Sequence, residues 1–333
     1  KLPDEVEDQL EEYVRQSADN ELPRPTGDGI GKIEHNSNLA HFYAHFVRHT
    51  IDTSLEGMTI VYDGANGAAS SVGPEILAGL GAKVININVN PDGLNINHHC
   101  GSTHIEGLQV AVQQHNADLG IANDGDADRC LLVDEKGQVL DGDQIMLLCA
   151  LKLKEEGKLK DDTVVGTVMS NIGFHKAAQE LGMKTFATAV GDRYVLEYMR
   201  EHNLSVGGEQ SGHVIFLDHN TTGDGMLTAV QVAALMKEKN QPLSELAGIM
   251  TKYPQVLINV RVATKTGWED NDIIKAAIVT AEGELGAEGR VLVRASGTEP
   301  LIRVMAEGPN QEELQALCQE IADIIGREQG LAE

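Results

Sequence analysis

The chain has 333 residues, 41% of them hydrophobic, and carries 26 lysines and arginines against 51 aspartates and glutamates, a formal net charge of −25. A chain of this length is expected to form two or three domains. The charge argues against nucleic acid and anionic membranes as partners, because both require a positive protein surface. No uninterrupted apolar run approaches the roughly 18 residues of a membrane span.

The first residues, KLPDEVEDQLEEY, are charged from the start and contain no initiator methionine. We therefore expect no signal peptide, and we expect that Lys1 is not the natural first residue, so that the chain is a fragment or a processed form. The four cysteines (Cys100, Cys130, Cys149 and Cys318) are scattered and form no CxxC. This distribution predicts reduced thiols in a cytoplasmic protein.

The predicted elements begin with two helices, over residues 4–17 and 37–50, joined by the Pro/Gly loop ELPRPTGDGIG. A strand, a tight turn at DGANG, a helix and a second strand follow over 58–89. Two further strands, ADLGIA and CLLVDEKGQVL, flank an aspartate-rich loop. Strands that alternate with helices of ten or more residues predict βαβ units and mainly parallel pairing.

The same alternation restarts after DGDQ, where Asp143 is expected to cap the helix QIMLLCALKLKEEG. From about residue 254 the pattern changes to a strand, a helix, two strands joined by GTE, and a last helix that begins near Asn310. The predicted fold class is α/β, with two βαβ-type mixed-sheet domains and a small C-terminal α+β domain.

The stretch IANDGDADRC places Asp124, Asp126 and Asp128 at every second position. Alternate side chains of an extended loop point the same way, so the three carboxylates can converge on one hard cation. A solvated acidic turn is the alternative. The spacing also imitates a calcium-binding EF-hand with Glu135 at position 12, but Arg129 replaces the glycine at position 6 and the flanks are strands. Three oxygen ligands leave coordination positions open, which favours a catalytic Mg²⁺ that receives a phosphate oxygen.

The stretch VRASGTEPLIRV is a candidate phosphate cradle. Arg294, Ser296, Gly297 and Thr298 crowd a tight turn between two strands, and Arg303 returns on the second strand. Glycine lets backbone N–H groups turn toward an anion, hydroxyls add donors, and the two guanidinium groups supply positive charge. The alternative is an ordinary hairpin turn with surface arginines.

The stretch GGEQSGH is a candidate sugar-binding loop, because Glu209, Gln210, Ser211 and His213 offer groups that bond to hydroxyls. A polar hairpin loop is an equally good interpretation. His213 is a candidate for proton transfer, although a purely hydrogen-bonding histidine is as good an interpretation.

Three other polar stretches contain groups that could form a site. TAVGDRYV offers Asp192 and Arg193 on a strand-to-helix turn, a usual place for active sites of α/β proteins. HHCGSTH has a histidine and cysteine spacing that matches no usual zinc site, so zinc is not expected. DGANG is predicted to be a structural turn.

Together DGDADR, GEQSGH and RASGTEP, in this order and one per domain, resemble the motifs of the α-D-phosphohexomutase family over essentially the whole chain. Gln210 and the stretches VGDRYV and PDGLNINHHCGSTH resemble the bacterial branch that acts on glucosamine phosphates. The resemblance implies a four-domain, heart-shaped enzyme with a central active-site cleft. Its boundaries here would be a remnant of domain 1 at 1–36, domain 2 at 37–141, domain 3 at 142–252 and domain 4 at 253–333.

The resemblance also implies roles for individual residues. Asp124, Asp126 and Asp128 would bind one Mg²⁺, and Arg129 and His213 would lie beside the reacting phosphate. Asp192, Arg193, Glu209 and Ser211 would contact the sugar, and the non-reacting phosphate would be held by Arg294, Ser296, Gly297, Thr298 and Arg303.

The family's nucleophile is a phosphoserine in a Ser-His-Asn-Pro loop, and no Ser-His-Asn occurs in these 333 residues. The implied activity is interconversion of glucosamine 6-phosphate and glucosamine 1-phosphate through a 1,6-bisphosphate. This reaction supplies UDP-N-acetylglucosamine and cell-wall precursors. We expect this chain alone to bind Mg²⁺ and a phosphosugar without turnover, and a homodimer is possible. The alternatives are a mutase of mannose or glucose phosphates and a non-catalytic phosphosugar or metal sensor.

Overall fold

A computed structural model of the chain describes residues 4–18, 22–34, 36, 38–296 and 299–330. The helices are α1 (Asp4–Ala18), α2 (Asn38–Arg48), α3 (Val72–Gly79), α4 (Glu106–His115), α5 (Gly142–Glu155), α6 (Ile172–Glu180), α7 (Asp192–Glu201), α8 (Gly225–Lys239), α9 (Leu243–Leu246), α10 (Asp272–Leu285) and α11 (Gln311–Gln329). The strands are β1 (Thr59–Asp63), β2 (Lys83–Ile87), β3 (Leu119–Asn123), β4 (Cys130–Asp134), β5 (Val139–Leu140), β6 (Thr163–Thr167), β7 (Lys184–Thr188), β8 (Val206–Gly208), β9 (Val214–Phe216), β10 (Gln255–Arg261), β11 (Arg290–Ala295) and β12 (Leu301–Glu307). Among these helices, none combines the length and the apolar composition that crossing a membrane requires.

The first sheet has the strand order β2-β1-β3-β4-β5. Its first three strands are parallel, and β4 and β5 are antiparallel to their neighbours. Strand β1 is apolar on both faces because helices cover both: Tyr62 packs in the cluster that contains α3 residues, and Val61 packs with α4 residues. Strands β3 and β4 pair Asn123 with Cys130, so the aspartate-rich loop is the connection of this hairpin.

The second sheet has the order β7-β6-β8-β9, with only β9 antiparallel. Helix α6 lies on one face, where Phe174 is buried, and α7 covers the other with Met199. Helix α8 is buried continuously from Gly225 to Met236 and contacts α2, α5, β3 and β4. One apolar core therefore continues through both sheets, which holds their loops in a fixed relation.

The C-terminal unit (β10–β12 with α10 and α11) is an antiparallel sheet of order β10-β12-β11 with its own apolar core. Asn310 caps α11, and its side-chain oxygen accepts bonds from the backbone N–H groups of Glu312 and Glu313 at 3.0 and 3.4 Å. The α/β fold class predicted from the alternation of elements, with a smaller α+β unit at the C-terminal end, is confirmed.

The DGANG stretch forms the predicted tight turn after β1. The carboxylate of Asp63 accepts bonds from the backbone N–H groups of Ala65 at 2.9 Å and Gly101 at 3.0 Å. Gly101 belongs to the HHCGSTH stretch, so this turn also anchors that stretch to the end of β1. Asp63 thus has a structural role, because its carboxylate holds the two stretches together.

The prediction that Asp143 caps α5 is wrong, because Asp141 occupies that position. The Oδ1 atom of Asp141 accepts the N–H groups of Asp143 and Gln144 at 3.2 and 3.4 Å, and the Gln144 side chain accepts the Asp141 N–H in return. This reciprocal capping box outcompetes a cap two residues later. Asp143 is instead fully buried and accepts the N–H of Asn171 at 2.7 Å.

Burial of Asp143 is expected to make the chain less stable as the pH rises from about 4 to about 7. Burial, and then the charge of Asp141, raises the pKa of Asp143 from 3.8 to about 7. In that window the folded state keeps a proton that the unfolded state has released, so the stabilisation is complete below the unfolded pKa and lost as the pH approaches 7. Between pH 5 and pH 8, the free energy of unfolding of Asp143→Asn should therefore increase by roughly 3 kcal/mol relative to that of the parent chain.

Urea unfolding of both chains at the two pH values measures this gain, with the exposed Asp323→Asn as a matched control. Parallel pH profiles for Asp143→Asn and the parent chain would contradict the expectation.

Candidate active site

The three aspartates of the β3–β4 loop lie close enough to share one cation. Carboxylate oxygens of Asp124, Asp126 and Asp128 are all within 4.8 Å of one another. Two oxygens bound to one Mg²⁺ or Ca²⁺ are at most roughly 4–5 Å apart, since each metal–oxygen distance is about 2.0–2.6 Å. Burial, and then the charge of Asp128, raises the pKa of Asp124 to about 6. The geometry and the all-oxygen donor set fit a hard divalent cation.

The loop is held in place by buried hydrogen bonds at its base. The side chain of Asn123 donates to the Arg129 carbonyl at 2.7 Å and accepts from the Tyr62 hydroxyl at 3.0 Å. A Cβ atom on Gly67 would come within 2.2 Å of the Gly125 carbonyl oxygen, so only glycine allows this approach of the two turns. These contacts preorganise the carboxylates and reduce the cost of gathering them around a cation.

Arg129 lies beside the carboxylates without a direct side-chain hydrogen bond to them. Its Nε is 3.9 Å from Asp124 Oδ2 and 4.0 Å from Asp128 Oδ1. Both the Arg129 Nε and the Asp128 Oδ1 are buried and lack a hydrogen-bond partner. Buried polar atoms are costly to leave unpaired. The loop therefore presents an acceptor and a cationic donor that a bound metal and an anionic ligand would satisfy.

His213 joins this loop to the second sheet. Its Nε2 accepts the Gly223 N–H at 3.2 Å and lies 3.5 Å from an oxygen of Asp128 and 3.9 Å from one of Asp192. Because Nε2 is an acceptor, the neutral ring carries its proton on Nδ1, which is buried and unpartnered. This arrangement favours the purely hydrogen-bonding role, and proton transfer by His213 stays a prediction.

The GGEQSGH stretch forms the connection between β8 and β9, and Glu209 organises it. Oε1 of Glu209 accepts the Gly191 N–H at 2.9 Å, and Oε2 accepts from the Ser211 hydroxyl at 3.4 Å. Gly191 precedes α7 with a φ of 135°, a conformation that favours glycine, and Asp192 and Arg193 follow it as the first residues of the helix. A half-buried carboxylate with a neighbouring hydroxyl is suited to binding polar hydroxyl or amino groups.

Backbone bonds tie the two loops together. The Cys130 N–H donates to the Gly212 carbonyl at 3.0 Å, and the Gly225 N–H donates to the Ala127 carbonyl at 3.0 Å. The structure thereby brings into one group the predicted site residues Asp124, Asp126, Asp128, Arg129, Asp192, Glu209, Ser211 and His213.

The predicted phosphate-binding residues form a second group on the β11–β12 hairpin. Arg294 and Arg303 lie directly opposite each other on the two strands. Burial, and then the charge of Arg303, lowers the pKa of Arg294, and the Nε of Arg303 is buried without a partner. Like charges directly opposite destabilise a sheet. An anion between them would relieve this repulsion. Ser296 is buried at the hairpin's end, and Gly297 and Thr298 lie outside the described residues.

Three family models match the chain in sequence order. Residues 40–137 match "Phosphoglucomutase/phosphomannomutase, alpha/beta/alpha domain II". Residues 141–253 match domain III of the same description, and residues 257–324 match its C-terminal domain. The chain belongs to the phosphoglucomutase/phosphomannomutase family. The resemblance inferred from DGDADR, GEQSGH and RASGTEP is confirmed.

Two relatives that are identical to this chain at about half of the aligned residues carry a specific name. The phosphoglucosamine mutase of Symbiobacterium thermophilum is 54% identical over 330 residues, which cover 98% of this chain and 73% of the relative. The phosphoglucosamine mutase of Bacillus subtilis is 49% identical over 331 residues, 99% of this chain and 74% of that protein.

Solved structures share the fold at lower identity. A phosphoglucomutase/phosphomannomutase family protein of Burkholderia thailandensis aligns with a TM-score of 0.75 at 20% identity, over 96% of this chain and 70% of that one. The Aspergillus fumigatus N-acetylphosphoglucosamine mutase, solved in complex with GlcNAc-6P and magnesium, aligns with a TM-score of 0.68 at 23% identity, over 85% of this chain and 68% of that one. This likeness shows the fold alone.

Two parts of the candidate site were not predicted from the sequence. Lys265, which follows β10, donates to the Ser296 carbonyl at 2.8 Å and adds a third cation beside the β11–β12 hairpin that is predicted to bind phosphate (the phosphate hairpin below). A cleft of about 370 Å³ opens beside Asp126 and is lined also by Asn220 and Thr222. The polar, glycine-containing run HNTTGDG before α8 was the available signal for this cleft. No local sequence signal predicted the position of Lys265, because that position depends on the pairing of β10 with β12.

Proposed function

We propose that the chain carries the metal, sugar and phosphate sites of a phosphoglucosamine mutase. This enzyme interconverts glucosamine 6-phosphate and glucosamine 1-phosphate through a phosphoserine and a 1,6-bisphosphorylated sugar. The observation that carries the proposal is the aspartate triad, with its oxygens within 4.8 Å, joined through His213 to the second sheet. The name of the relatives at 54% and 49% identity supports the choice of sugar.

Asp124, Asp126 and Asp128 would hold Mg²⁺, since three carboxylates supply hard oxygen ligands and leave room for ligands from the substrate. When bound, Mg²⁺ offsets the negative charge on phosphoryl oxygens. Arg129, whose buried Nε is unpartnered, would donate to an oxygen of the same phosphoryl group. Positive charge placed in advance where negative charge develops is the main means of accelerating phosphoryl transfer.

Glu209 would orient the sugar and select the amine. Its two oxygens already bond to the Gly191 N–H and to Ser211, which fixes the carboxylate plane while leaving lone pairs free. The amino group of glucosamine is largely protonated near neutral pH. A fixed carboxylate makes a stronger, charge-assisted hydrogen bond with an ammonium group than with a hydroxyl.

Arg294, Arg303 and Ser296 would bind the phosphate that is not reacting, with Lys265 beside them. Holding this distant phosphate keeps the sugar in place during transfer and contributes binding energy to orientation. The two ends of the bisphosphorylated sugar resemble each other in charge, so one hairpin can accept either phosphate when the intermediate turns over.

The phosphoryl donor of the reaction would be the phosphoserine of a Ser-His-Asn-Pro loop, whose phosphoryl group is transferred to a sugar hydroxyl, and no Ser-His-Asn occurs among these 333 residues. We therefore expect these residues by themselves to bind Mg²⁺ and phosphosugar without turnover. The four cysteines are free and buried, which supports a reducing compartment such as the cytoplasm. A homodimer stays a prediction.

Sugar selectivity tests this function. Calorimetric titration of the chain with glucosamine 6-phosphate, glucose 6-phosphate and mannose 6-phosphate, at saturating Mg²⁺, should give the tightest binding for glucosamine 6-phosphate, by about tenfold. Glu209→Gln should remove this preference while all three sugars still bind, because the amide keeps its acceptor for Gly191 and loses the charge. A clear preference for mannose 6-phosphate would contradict the assignment, as would no binding of any of them.

A further inference from the structure

The carboxylate of Glu307, at the end of β12, is fully buried between the C-terminal unit and the start of α6. From its own unit it accepts bonds from Gln255 Nε2 at 2.8 Å and Arg290 Nε at 2.7 Å. From the second sheet's unit it accepts bonds from Asn171 Nδ2 at 3.3 Å and the Ile172 N–H at 2.9 Å. A single buried acid thus receives donors from both sides of the junction.

Arg290 completes this junction. Its Nε bonds to Glu307, and its terminal NH₂ nitrogen donates to the Ser170 carbonyl at 2.6 Å. Asn171 also accepts from the Tyr253 N–H at 3.0 Å, on the segment that leads into the C-terminal unit. Buried, directional bonds of this kind fix one relative orientation, whereas apolar contacts alone tolerate sliding.

The junction is mechanically linked to the phosphate hairpin. Glu307 and Arg303 are four residues apart on β12, and Arg290 and Arg294 are four apart on β11, so each pair lies on one face of its strand at roughly 13 Å separation. A tilt of the sheet at Glu307 would therefore displace Arg294 and Arg303, which pair with each other on these strands.

The same junction reaches the sugar-binding loop from the other side. The Asn171 N–H donates to Asp143 at 2.7 Å, and the adjacent Gly142 N–H donates to the Gln210 carbonyl at 2.9 Å. A short series of bonds therefore connects the loop that contains Glu209 to the sheet that contains Arg294.

We propose that Glu307 is a positioning residue that sets the orientation of the phosphate hairpin relative to the metal and sugar loops. Its effect on ligand binding rests on the proposed function, but its effect on orientation does not. The exposed pair Lys176–Glu288 crosses the same junction at 3.0 Å, with the Glu288 side chain 68% exposed, and provides a matched control.

Orientation is tested first, without any ligand. Spin labels on Gln114→Cys and Glu320→Cys, both exposed positions, report the distance between the first sheet's unit and the C-terminal unit, since the four native cysteines are buried. The parent chain and Glu288→Gln should give the same narrow distance distribution. Glu307→Gln should give a broadened or displaced one, because Arg290 loses its charged partner. An unchanged distribution in a folded Glu307→Gln chain would overturn the proposal.

Ligand coupling is tested second, with glucosamine 6-phosphate as the probe. Glu307→Gln should weaken its binding about tenfold, with Mg²⁺ affinity unchanged, because the triad lies on another sheet. Arg294→Gln should then weaken binding much less in the Glu307→Gln background than in the parent chain. If the two substitutions instead reduce the affinity for glucosamine 6-phosphate by independent factors that multiply, the positioning role is overturned. Failure of the parent chain to bind this sugar would count against the proposed function, while the spin-label distances still decide the orientation.

Should Glu307→Gln not fold, Arg290→Lys carries both tests. Lysine keeps the positive charge but cannot bond to Glu307 and to the Ser170 carbonyl in the fixed fork that arginine provides. A folded Arg290→Lys chain with parental distances and parental coupling would also overturn the proposal.

Discussion

Replacing Asp126 with asparagine is expected to weaken Mg²⁺ binding by more than roughly 100-fold, because loss of a group that merely supports a metal ligand already costs 10–100-fold. Asp126 is the exposed member of the triad, so its replacement disturbs the fold least. The metal-free variant should melt at a higher temperature than the parent chain, since one of three mutually repelling charges is gone. Loss of metal affinity together with a gain in metal-free stability distinguishes a ligand from a structural residue.

Calorimetric titration with Mg²⁺ and thermal melts in EDTA measure the two effects. Glu135→Gln is the matched control: Glu135 occupies the position that an EF-hand would use, but it accepts bonds from the Ser244 N–H at 3.3 Å and from the Ser244 hydroxyl. This control should leave Mg²⁺ affinity unchanged. An Asp126→Asn chain that binds Mg²⁺ as tightly as the parent chain would show that the three aspartates do not form the metal site.

Arg294→Gln is expected to weaken the binding of glucosamine 6-phosphate by roughly 10–100-fold, the range that corresponds to a lost hydrogen bond with a charged group. The variant should be at least as stable as the parent chain without ligand, because Arg303 no longer faces a like charge. Added phosphate or sugar phosphate should raise the melting temperature of the parent chain and have little effect on that of the variant.

The control for this prediction is Arg327→Gln, which removes an exposed arginine of α11 from the same unit. It should bind the sugar phosphate as the parent chain does, which separates a specific contact from a change in net charge. Equal losses in the two variants would indicate that the hairpin attracts anions only through its general charge, and the assigned phosphate site would then be wrong.

Local sequence patterns predicted the parts of this molecule that depend on neighbouring residues. The alternation of apolar strands and amphipathic helices gave the α/β class, and the two-residue spacing of Asp124, Asp126 and Asp128 gave a convergent acidic cluster, which the structure contains. Family motifs indicated the order of the loops. Each strand, helix and motif by itself is a local stretch of sequence, within which backbone periodicity determines which side chains share a face.

Tertiary pairing determined the parts that the sequence did not reveal. Asp143 resembles a helix cap, yet Asp141 and Gln144 form the capping box and Asp143 is buried against Asn171. Glu307 resembles an ordinary strand residue, but donors from two units converge on it. Lys265 lies beside Ser296 only because β10 pairs with β12. Such contacts join residues far apart in sequence, so no local period predicts them.

The most direct test of the central claim is a mutase assay that supplies the phosphoserine loop expected for the family. The 333 residues are joined to the part of the Symbiobacterium thermophilum phosphoglucosamine mutase that precedes the matched segment, and the interconversion of glucosamine 6-phosphate and glucosamine 1-phosphate is followed with Mg²⁺ and a catalytic amount of sugar bisphosphate. The account predicts turnover of glucosamine phosphates ahead of glucose and mannose phosphates, and no turnover by the 333 residues alone. A folded fusion that prefers mannose phosphates, or turnover by the 333 residues alone, would contradict it.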